Sequence, residues 1–504
     1  MISLQPSTFE EFEREAERGN VVPVVRTVLA DLQTPVGAFL RVAGRSEYAF
    51  LLESVEGGER IARYSFLGAD PELIVRGRGE KTRVEFAGGR SEDLEGVRAT
   101  DFLRDHLRAR RLARRAGLAP MAGGAVGYLA YDAARWFEPV LEKSLKPSRG
   151  ADDAVFMLFR TVLAFDRVRQ QVEIASVVMT DESNGDRSRL EELYAIAVEE
   201  TARVERLLAA PFELPSGGAG ERREGGAASF ESNWGREDFE RAVVRVKEHI
   251  AAGDCYQCVI SQRFSKRVEV EPVQIYRALR ATNPSPYMYL LKLGGEWVVG
   301  ASPEMLVRCR GQRLDYRPIA GTRKRGATET EDWLLGEEMR ADEKEVAEHM
   351  MLVDLGRNDL GRVSDYGSVE VGELMTVERY SHVQHLVTGL RSRLREGCDR
   401  FDALAACFPA GTVSGAPKVR AMQIIGELEP DARGVYAGAV LYADYADNLD
   451  SCIAIRTVVL REGTAEVQAG AGIVADSIPE REYEETVNKA RAVLNAVEMA
   501  ERGL

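Results

Sequence analysis

Short stretches rich in β-branched and aromatic residues recur along the chain, with apolar positions alternating or running unbroken. Tyr48–Leu52 (YAFLL), Gln171–Val178 (QVEIASVV), Tyr256–Phe264, Val435–Tyr442 and Cys452–Leu460 each predict a strand. Helical spacing marks Arg187–Leu208, Arg236–Ala252 (closed by Gly253), Asp342–Arg357 and Pro479–Val497. Within Asp342–Arg357, Val346, Met350 and Val353 fall at i, i+4 and i+7 and predict the buried stripe. Between the first and second groups of elements, Pro211–Ala228 holds two prolines, five glycines and the cluster ERRE. Such a stretch cannot bury a core and predicts a linker. The chain then divides into an N-terminal portion 1–207, a linker 208–233 and a C-terminal portion 234–504. Strands and helices follow one another irregularly, without an internal repeat or a Gly-x-Gly-x-x-Gly turn opening a helix. An α+β fold suits that order better than a doubly wound nucleotide-binding sheet.

Composition narrows the function classes. With 504 residues, 45% of them hydrophobic, the chain can bury a large core or two lobes. Its 81 acidic and 67 basic residues leave a net charge of -14, which argues against nucleic-acid binding. No run of 18 apolar residues occurs, and Met1–Asn20 has no signal-peptide pattern, so a cytoplasmic protein away from membranes is predicted. The six cysteines are too few for a disulfide framework and predict reduced thiols. Cys255-x-x-Cys258 has no second pair to complete a zinc site, so a structural role is the better reading.

Candidate chemistry lies in the C-terminal portion. Glu345 and Glu348 are three apart on a predicted helix, as are Glu482 and Glu485, with Lys489 one turn further on. Each pair alone reads most simply as a solvated helix face. Two pairs brought together would repel unless a hard divalent cation neutralised them. Pro318–Gly326 (PIAGTRKRG), Pro409–Lys418 (PAGTVSGAPK) and Ala469–Ile473 (AGAGI) are turns whose glycines, hydroxyls and cations suit a carboxylate cradle, or an ordinary turn. Of the five histidines, His385 lies in a β-like apolar stretch and is the best candidate for proton transfer, though core packing is the commoner use. These readings reach a metal-assisted enzyme acting on a small anion.

Taken in order, the longer motifs go further. They are LLES (Leu51–Ser54), ARYSFLG (Ala62–Gly68), NPSPYM (Asn283–Met288), ASPEML (Ala301–Leu306), PIAGT (Pro318–Thr322), EHMMLVDLGRNDLGRV from Glu348, HVQHL (His382–Leu386), PAGTVSGAPK, CIAIRT (Cys452–Thr457) and AGAGIVADSIPEREYEETVNKA to Ala490. Together they resemble the chorismate-utilising enzymes over nearly the whole chain, and most nearly the synthase subunits that make anthranilate. The resemblance implies two antiparallel sheets packed as a sandwich and flanked by helices. It implies Mg²⁺ held by Glu348 and Glu485, with Glu345 and Glu482 beside them. Gly321, Thr322, Tyr436, Arg456 and the backbone of Gly470, Ala471 and Gly472 would bind chorismate, with Lys489 and Thr412 close by. Glu304 would protonate the departing C4 hydroxyl, and His385 would assist loss of pyruvate.

Two positions separate this chain from its relatives. Family members that add water have a lysine base where Gln257 stands here, and an amide cannot replace it, so ammonia is the implied nucleophile. Aminodeoxychorismate synthases often have a lysine where Ala320 stands. Aminodeoxychorismate or aminodeoxyisochorismate synthesis is the runner-up activity; a non-catalytic tryptophan-sensing subunit would require broken catalytic motifs, and none is broken. No cysteine sits in a Gly-x-Cys-x-Gly turn, so a separate glutamine amidotransferase subunit is implied as partner in a hetero-oligomer. The resemblance also implies a feedback site for tryptophan at Glu53, Ser54, Pro286, Tyr287, Met288, Val440, Tyr442 and Cys452. Leu441 replaces the family's usual glycine and, by strand alternation, should face away from that pocket. If Cys452 and Arg456 share one strand face, roughly 13 Å apart, and Tyr436, Val440 and Tyr442 share another, one rigid pair of strands couples the two sites.

Overall fold

The computed structural model describes residues 3–55, 63–146, 148, 150–211, 230–380 and 383–503. Most of the proposed linker, residues 212–229, lies outside the described residues, as do Ala62, Ser381 and His382.

Among the described residues the strands form a 13-stranded sheet, an 11-stranded sheet and a small three-stranded one, and every pairing within the named strands is antiparallel. In the first sheet, Tyr48–Glu53 pairs with Tyr287–Leu293, which pairs with Glu296–Ser302. In the second, Gly124–Leu129 pairs with Ala439–Asp444, beside Asn448–Ile453 and Met305–Arg310. Both large sheets therefore mix strands from the N-terminal and C-terminal portions.

Strand alternation builds the layers. Phe50, Tyr289, Leu291 and Val298 from the first sheet meet Tyr128, Met157, Phe159, Val440 and Cys452 from the second in one buried cluster. The alternate residues Leu51, Leu290, Val299 and Val458 face outward under the helices Pro35–Ala43, Pro272–Thr282 and Pro479–Glu501. Behind the second sheet, the helices Ala99–Arg108 and Arg400–Cys407 contribute Leu103, Leu107, Phe401 and Leu404 to a third layer of core. The α+β sandwich expected from the sequence is the fold observed.

Several local expectations are corrected. The stretch Cys452–Leu460 is two strands, Asn448–Ile453 in the second sheet and Thr457–Arg461 in the first. Between them Arg456 takes the left-handed conformation at φ 51°, so Cys452 and Arg456 do not share a strand face. Tyr436 is likewise not on the strand of Val440 and Tyr442, which begins only at Ala439; Ala437, at φ 63°, turns the chain before it. The helix predicted over Asp342–Arg357 runs Glu343–Gly361, with Asp342 accepting from the amides of Lys344 and Glu345 as its cap. It buries His349, Leu352, Val353, Gly356 and Leu360 and leaves Met350 exposed. The stripe is rotated from the one predicted because Tyr316 and Leu390 press on the Gly356 side of the helix. Cys255 and Cys258 are unpaired and buried with Phe239, Ile424 and Ile473, a packing role.

The interleaved sheets have a direct consequence. A fragment of residues 230–504 leaves Tyr287–Leu293 and Ala439–Asp444 without their partners and should be insoluble alone, but recoverable when co-expressed with residues 1–211. A soluble, cooperatively unfolding 230–504 fragment would contradict this account.

Candidate active site

The chain passes between the two large sheets twice at neighbouring points. Glu296–Ser302 of the first sheet leads through Pro303 and Glu304 into Met305–Arg310 of the second, and Asn448–Ile453 returns through Ala454–Arg456 to Thr457–Arg461. The crossings are tied together: the Ile453 amide donates to the Glu304 carbonyl at 3.0 Å, and the Ala301 amide to the Arg456 carbonyl at 3.2 Å. Glu304 and Arg456 are thereby held over the same gap, and both line a cavity of about 460 Å³.

His385, Thr412, Tyr436, Gly470, Gly472 and Lys489 line that cavity too. Burial pushes the Glu304 carboxyl up to about 7, against the lowering pull of the Thr412 hydroxyl, Arg456 and Lys489. The Thr412 hydroxyl is itself buried and makes no well-formed hydrogen bond among the described residues, so its hold on Glu304 is proximity rather than a completed bond. The Arg456 guanidinium has no ion-pair or hydrogen-bond partner among the described residues; burial lowers it and Glu304 raises it. A half-buried, unpaired cation facing a cavity calls for an anion.

His385 sits on Val383–Val387, the central strand of the small sheet, beside Ile319–Lys324. Its Nδ1 lies 2.7 Å from the Gly321 carbonyl and 3.2 Å from the Thr322 hydroxyl. Donation to that carbonyl assigns the proton to Nδ1 and leaves Nε2 as the acceptor. Burial lowers its pKa, which keeps the ring neutral and able to accept a proton. Gly321 stands at φ 66° at the irregularity between Ala320 and Arg323, which turns its carbonyl to the histidine. Neither Gly321 nor Thr322 lines the cavity itself.

Gly470 and Gly472 project from one face of Thr464–Ile473 into the cavity, whereas the Ala471 side chain is buried on the opposite face with Ile260 and Ile473. Of that predicted trio, Ala471 does not line the cavity. A Cβ on Gly470 would lie 2.8 Å from the Tyr436 hydroxyl and 2.9 Å from the Ile260 carbonyl; one on Gly472 would lie 2.5 Å from the Gln257 amide nitrogen. Gln257 is thus stacked against Gly472, buried, with its carbonyl oxygen unpartnered among the described residues.

The four candidate metal carboxylates lie beside the cavity rather than in its lining. Although Glu348 reaches solvent, desolvation by the protein around it raises its pKa, as do neighbouring Glu345 and Glu485. Burial and then Glu485 raise Glu482. The helices Glu343–Gly361 and Pro479–Glu501 therefore bring their acidic faces together. Lys489 bonds Glu485 at 2.7 Å and the Gly470 carbonyl at 3.1 Å, and Arg323 bonds Glu345 at 2.9 Å. Among the described residues no three His, Cys, Asp or Glu side chains converge as a ready-made metal group. Oxygen donors in like-charge crowding still fit a hard ion that takes one or two protein carboxylates and completes its shell from water and an anionic ligand. One cation from each of two predicted cradles is committed elsewhere: Lys418 pairs with buried Asp359 at 2.8 Å, and Arg325 with Asp332 at 2.8 Å.

All eight residues expected at a regulatory site line a second cavity, of about 430 Å³, together with Tyr64, Phe66, Arg308 and Asp450. The Ser54 hydroxyl is buried there without a partner among the described residues. Leu441 packs into the core behind the second sheet, as strand alternation predicts, but it also borders the second cavity. Pro286 lines both cavities. Sequence reasoning missed Tyr380, Gln468 and Asn488 in the first cavity. Gln468 was signalled by being polar between Val467 and Ala469; Tyr380, 5.7 Å from His385 ring to ring, was signalled by nothing local.

A family model described as chorismate binding enzyme matches residues 47–495, and the chain belongs to that family. Similarity to curated relatives spans its length. Anthranilate synthase component 1 of Acetivibrio thermocellus is 45% identical over 495 residues, 98% of each chain. That of Thermus thermophilus is 47% identical over 486 residues, 96% of this chain and 99% of the relative. The crystal structure of anthranilate synthase component I from Streptococcus pneumoniae TIGR4 superposes with a TM-score of 0.74 at 34% identity, covering 92% of this chain and 98% of that one. The menaquinone-specific isochorismate synthase of Escherichia coli, at 19% identity and a TM-score of 0.67, shares the fold over 96% of this chain and 97% of its own. The chain is therefore an enzyme, a lyase similar over its whole length to anthranilate synthase component 1. No helix among the described residues is long and apolar enough to cross a membrane.

The two cavity glycines differ in what they face. Gly470→Ala drives a methyl group against a backbone carbonyl and a buried phenol, an overpacking cost of about 1–3 kcal/mol. Gly472→Ala displaces only the end of Gln257. Thermal denaturation should show the larger loss in Gly470→Ala; equal or reversed losses would contradict this packing.

Proposed function

We propose that the chain is the synthase subunit of an anthranilate synthase, converting chorismate and ammonia into anthranilate, pyruvate and water in tryptophan biosynthesis. The observation that carries the reading is Glu304, held near neutrality by burial beside the unpaired Arg456. This is a proton donor and an anion clamp in one enclosed gap.

Arg456 binds one carboxylate of chorismate, and the Tyr436 phenol, whose pKa burial raises to about 12, stays a neutral hydrogen-bond donor. Glu348 and Glu485 would hold Mg²⁺, with Glu345 and Glu482 beside them; when bound, the ion neutralises the ring carboxylate. Ammonia forms a bond to the ring as the C4–O bond breaks, and Glu304 gives its proton to the departing hydroxyl, which leaves as water. His385, neutral with a free Nε2, takes the ring proton as the enolpyruvyl C–O bond breaks, and pyruvate departs to leave the aromatic amine. Gln257, packed against Gly472, has no basic group to activate water, which favours ammonia. The ammonia comes from a separate amidotransferase subunit, and ammonium salts substitute for it.

Regulation follows the same reading. Tryptophan occupies the second cavity, where an apolar wall of Phe66, Tyr287 and Tyr442 adjoins the charges of Arg308 and Asp450 and the unpartnered Ser54 hydroxyl. Pro286, common to both cavities, supports a short route between the sites.

The reading is tested by product identification from chorismate, Mg²⁺ and ammonium. Fluorescent anthranilate and pyruvate should appear in equal amounts, disappear without Mg²⁺, and not form from glutamine by the isolated chain. An aminated product that keeps its pyruvate, or isochorismate, would overturn it. As a protonated acid, Glu304 should make the rate fall as pH rises through about 7, and Glu304→Gln should lose turnover by about 10²–10⁴-fold along with that limb. A Glu304→Gln variant with the wild-type profile removes its role. Ser54→Phe should abolish tryptophan binding in calorimetry while uninhibited turnover stays nearly intact; unchanged affinity would place the inhibitor elsewhere.

A further inference from the structure

Behind the cavity lies a buried ion pair that touches none of the reacting groups. Glu429 and Arg433 are each 3% exposed. The guanidinium meets the carboxylate through two bonds, Nε to Oε2 at 2.9 Å and Nη2 to Oε1 at 2.6 Å. Two more of its donors reach backbone carbonyls, Nη1 to Val413 at 2.7 Å and Nη2 to Val259 at 2.8 Å. Val413 follows Thr412 in its turn, Val259 pairs with Gly472 across the strand ladder, and both line the cavity. On the other side, Glu429 Oε1 accepts from the Ser261 amide and hydroxyl, each at 2.8 Å, and that hydroxyl accepts from the cavity residue Gln468 at 2.8 Å. The guanidinium carbon lies 4.5 Å from the Tyr131 ring centre and 5.6 Å from that of Tyr436.

We propose that Glu429 and Arg433 are positioning residues for the reaction, one buried fork that fixes Thr412, Gly472, Gln468 and Tyr436 relative to one another. Those four residues come from three separate stretches of chain, and no direct hydrogen bond joins them among the described residues. An ion pair removed from water contributes little net stability, because desolvation offsets most of its attraction. Its bidentate geometry is nevertheless rigid, and two further guanidinium N–H groups and the carboxylate's Oε1 reach residues that form or support the cavity wall. Lysine in place of Arg433 keeps the charge but cannot span Glu429, Val259 and Val413 together.

The test compares Arg433→Lys with Arg135→Lys, which alters another buried pair, Arg135–Asp153, whose members do not line the cavity. Both variants should lose thermal stability. Per folded molecule, Arg433→Lys should lose kcat by about tenfold or more, since small misplacements in a site are that costly. Its alkaline limb should also move upward as the Thr412 hydroxyl leaves Glu304. Arg135→Lys should do neither. Ser261→Ala, a gentler cut that frees Gln468 from Glu429, should lower kcat severalfold with little change in Tm, which keeps the test decisive if Arg433→Lys does not fold. Wild-type kcat and pH profile per folded molecule in Arg433→Lys, or in Ser261→Ala should that variant not fold, would overturn the proposal. The assay is anthranilate formation and so rests on the functional reading above. A wild-type chain that makes no anthranilate sinks that reading, whereas an active wild type with unimpaired variants sinks only the positioning role.

Discussion

Two backbone hydrogen bonds, from Ile453 to Glu304 and from Ala301 to Arg456, lock together the two places where the chain changes sheets. Antiparallel ladders continue on either side, Gly300 opposite Thr457 in the first sheet and Met305 opposite Cys452 in the second. At a crossing neither sheet supplies a full set of partners, so side chains there face the gap rather than a packed layer. That is where a carboxyl group can be buried without a fixed salt bridge and a guanidinium can await an anion. The layers, the outer helices and the small sheet carrying His385 all close around this seam.

The same constraint explains the shape of the chemistry. A protonated carboxyl and an unpaired cation are each costly to bury, and a fold retains them where a ligand compensates. The acidic faces of Glu343–Gly361 and Pro479–Glu501 repeat the pattern with opposite sign, since burial first and neighbouring carboxylates second raise Glu348 and Glu482, a strain that a cation or proton relieves. A dianionic substrate answers the cation at the seam, whereas the crowded acids at its edge call for a cation between themselves and that substrate. Glycine at 470 and 472 removes the side chains that would otherwise fill the space between them.

Much of this was legible in the sequence because strand alternation and ordered motifs are local signals. The outward face of Leu441, the pairing of Glu345 with Glu348, and the strands Tyr48–Glu53 and Gln171–Met179 follow from spacing alone. The seam was not legible. From Cys452 to Leu460 apolar residues run almost without a break, so nothing marks the left-handed turn at Arg456, and a single strand was the natural expectation. Tyr436 was assigned to a strand for the same reason, and Ala437 turned it away. The rotation of the Glu343–Gly361 helix depends on Tyr316 and Leu390, residues distant in sequence. Glu429 and Arg433 stand four apart, a spacing usually seen on solvated helix faces, and only the tertiary structure reveals them as buried.

The claim on which the rest depends is that the crossing holds Glu304 protonated near neutral pH. Difference infrared spectroscopy of the whole chain, wild type against Glu304→Gln, reads that proton directly. A carboxylic-acid carbonyl band present in the wild type at pH 6, missing from the variant and titrating with a midpoint of about 7, is the predicted result. A Glu304 carboxylate already ionised at pH 6 would contradict the account.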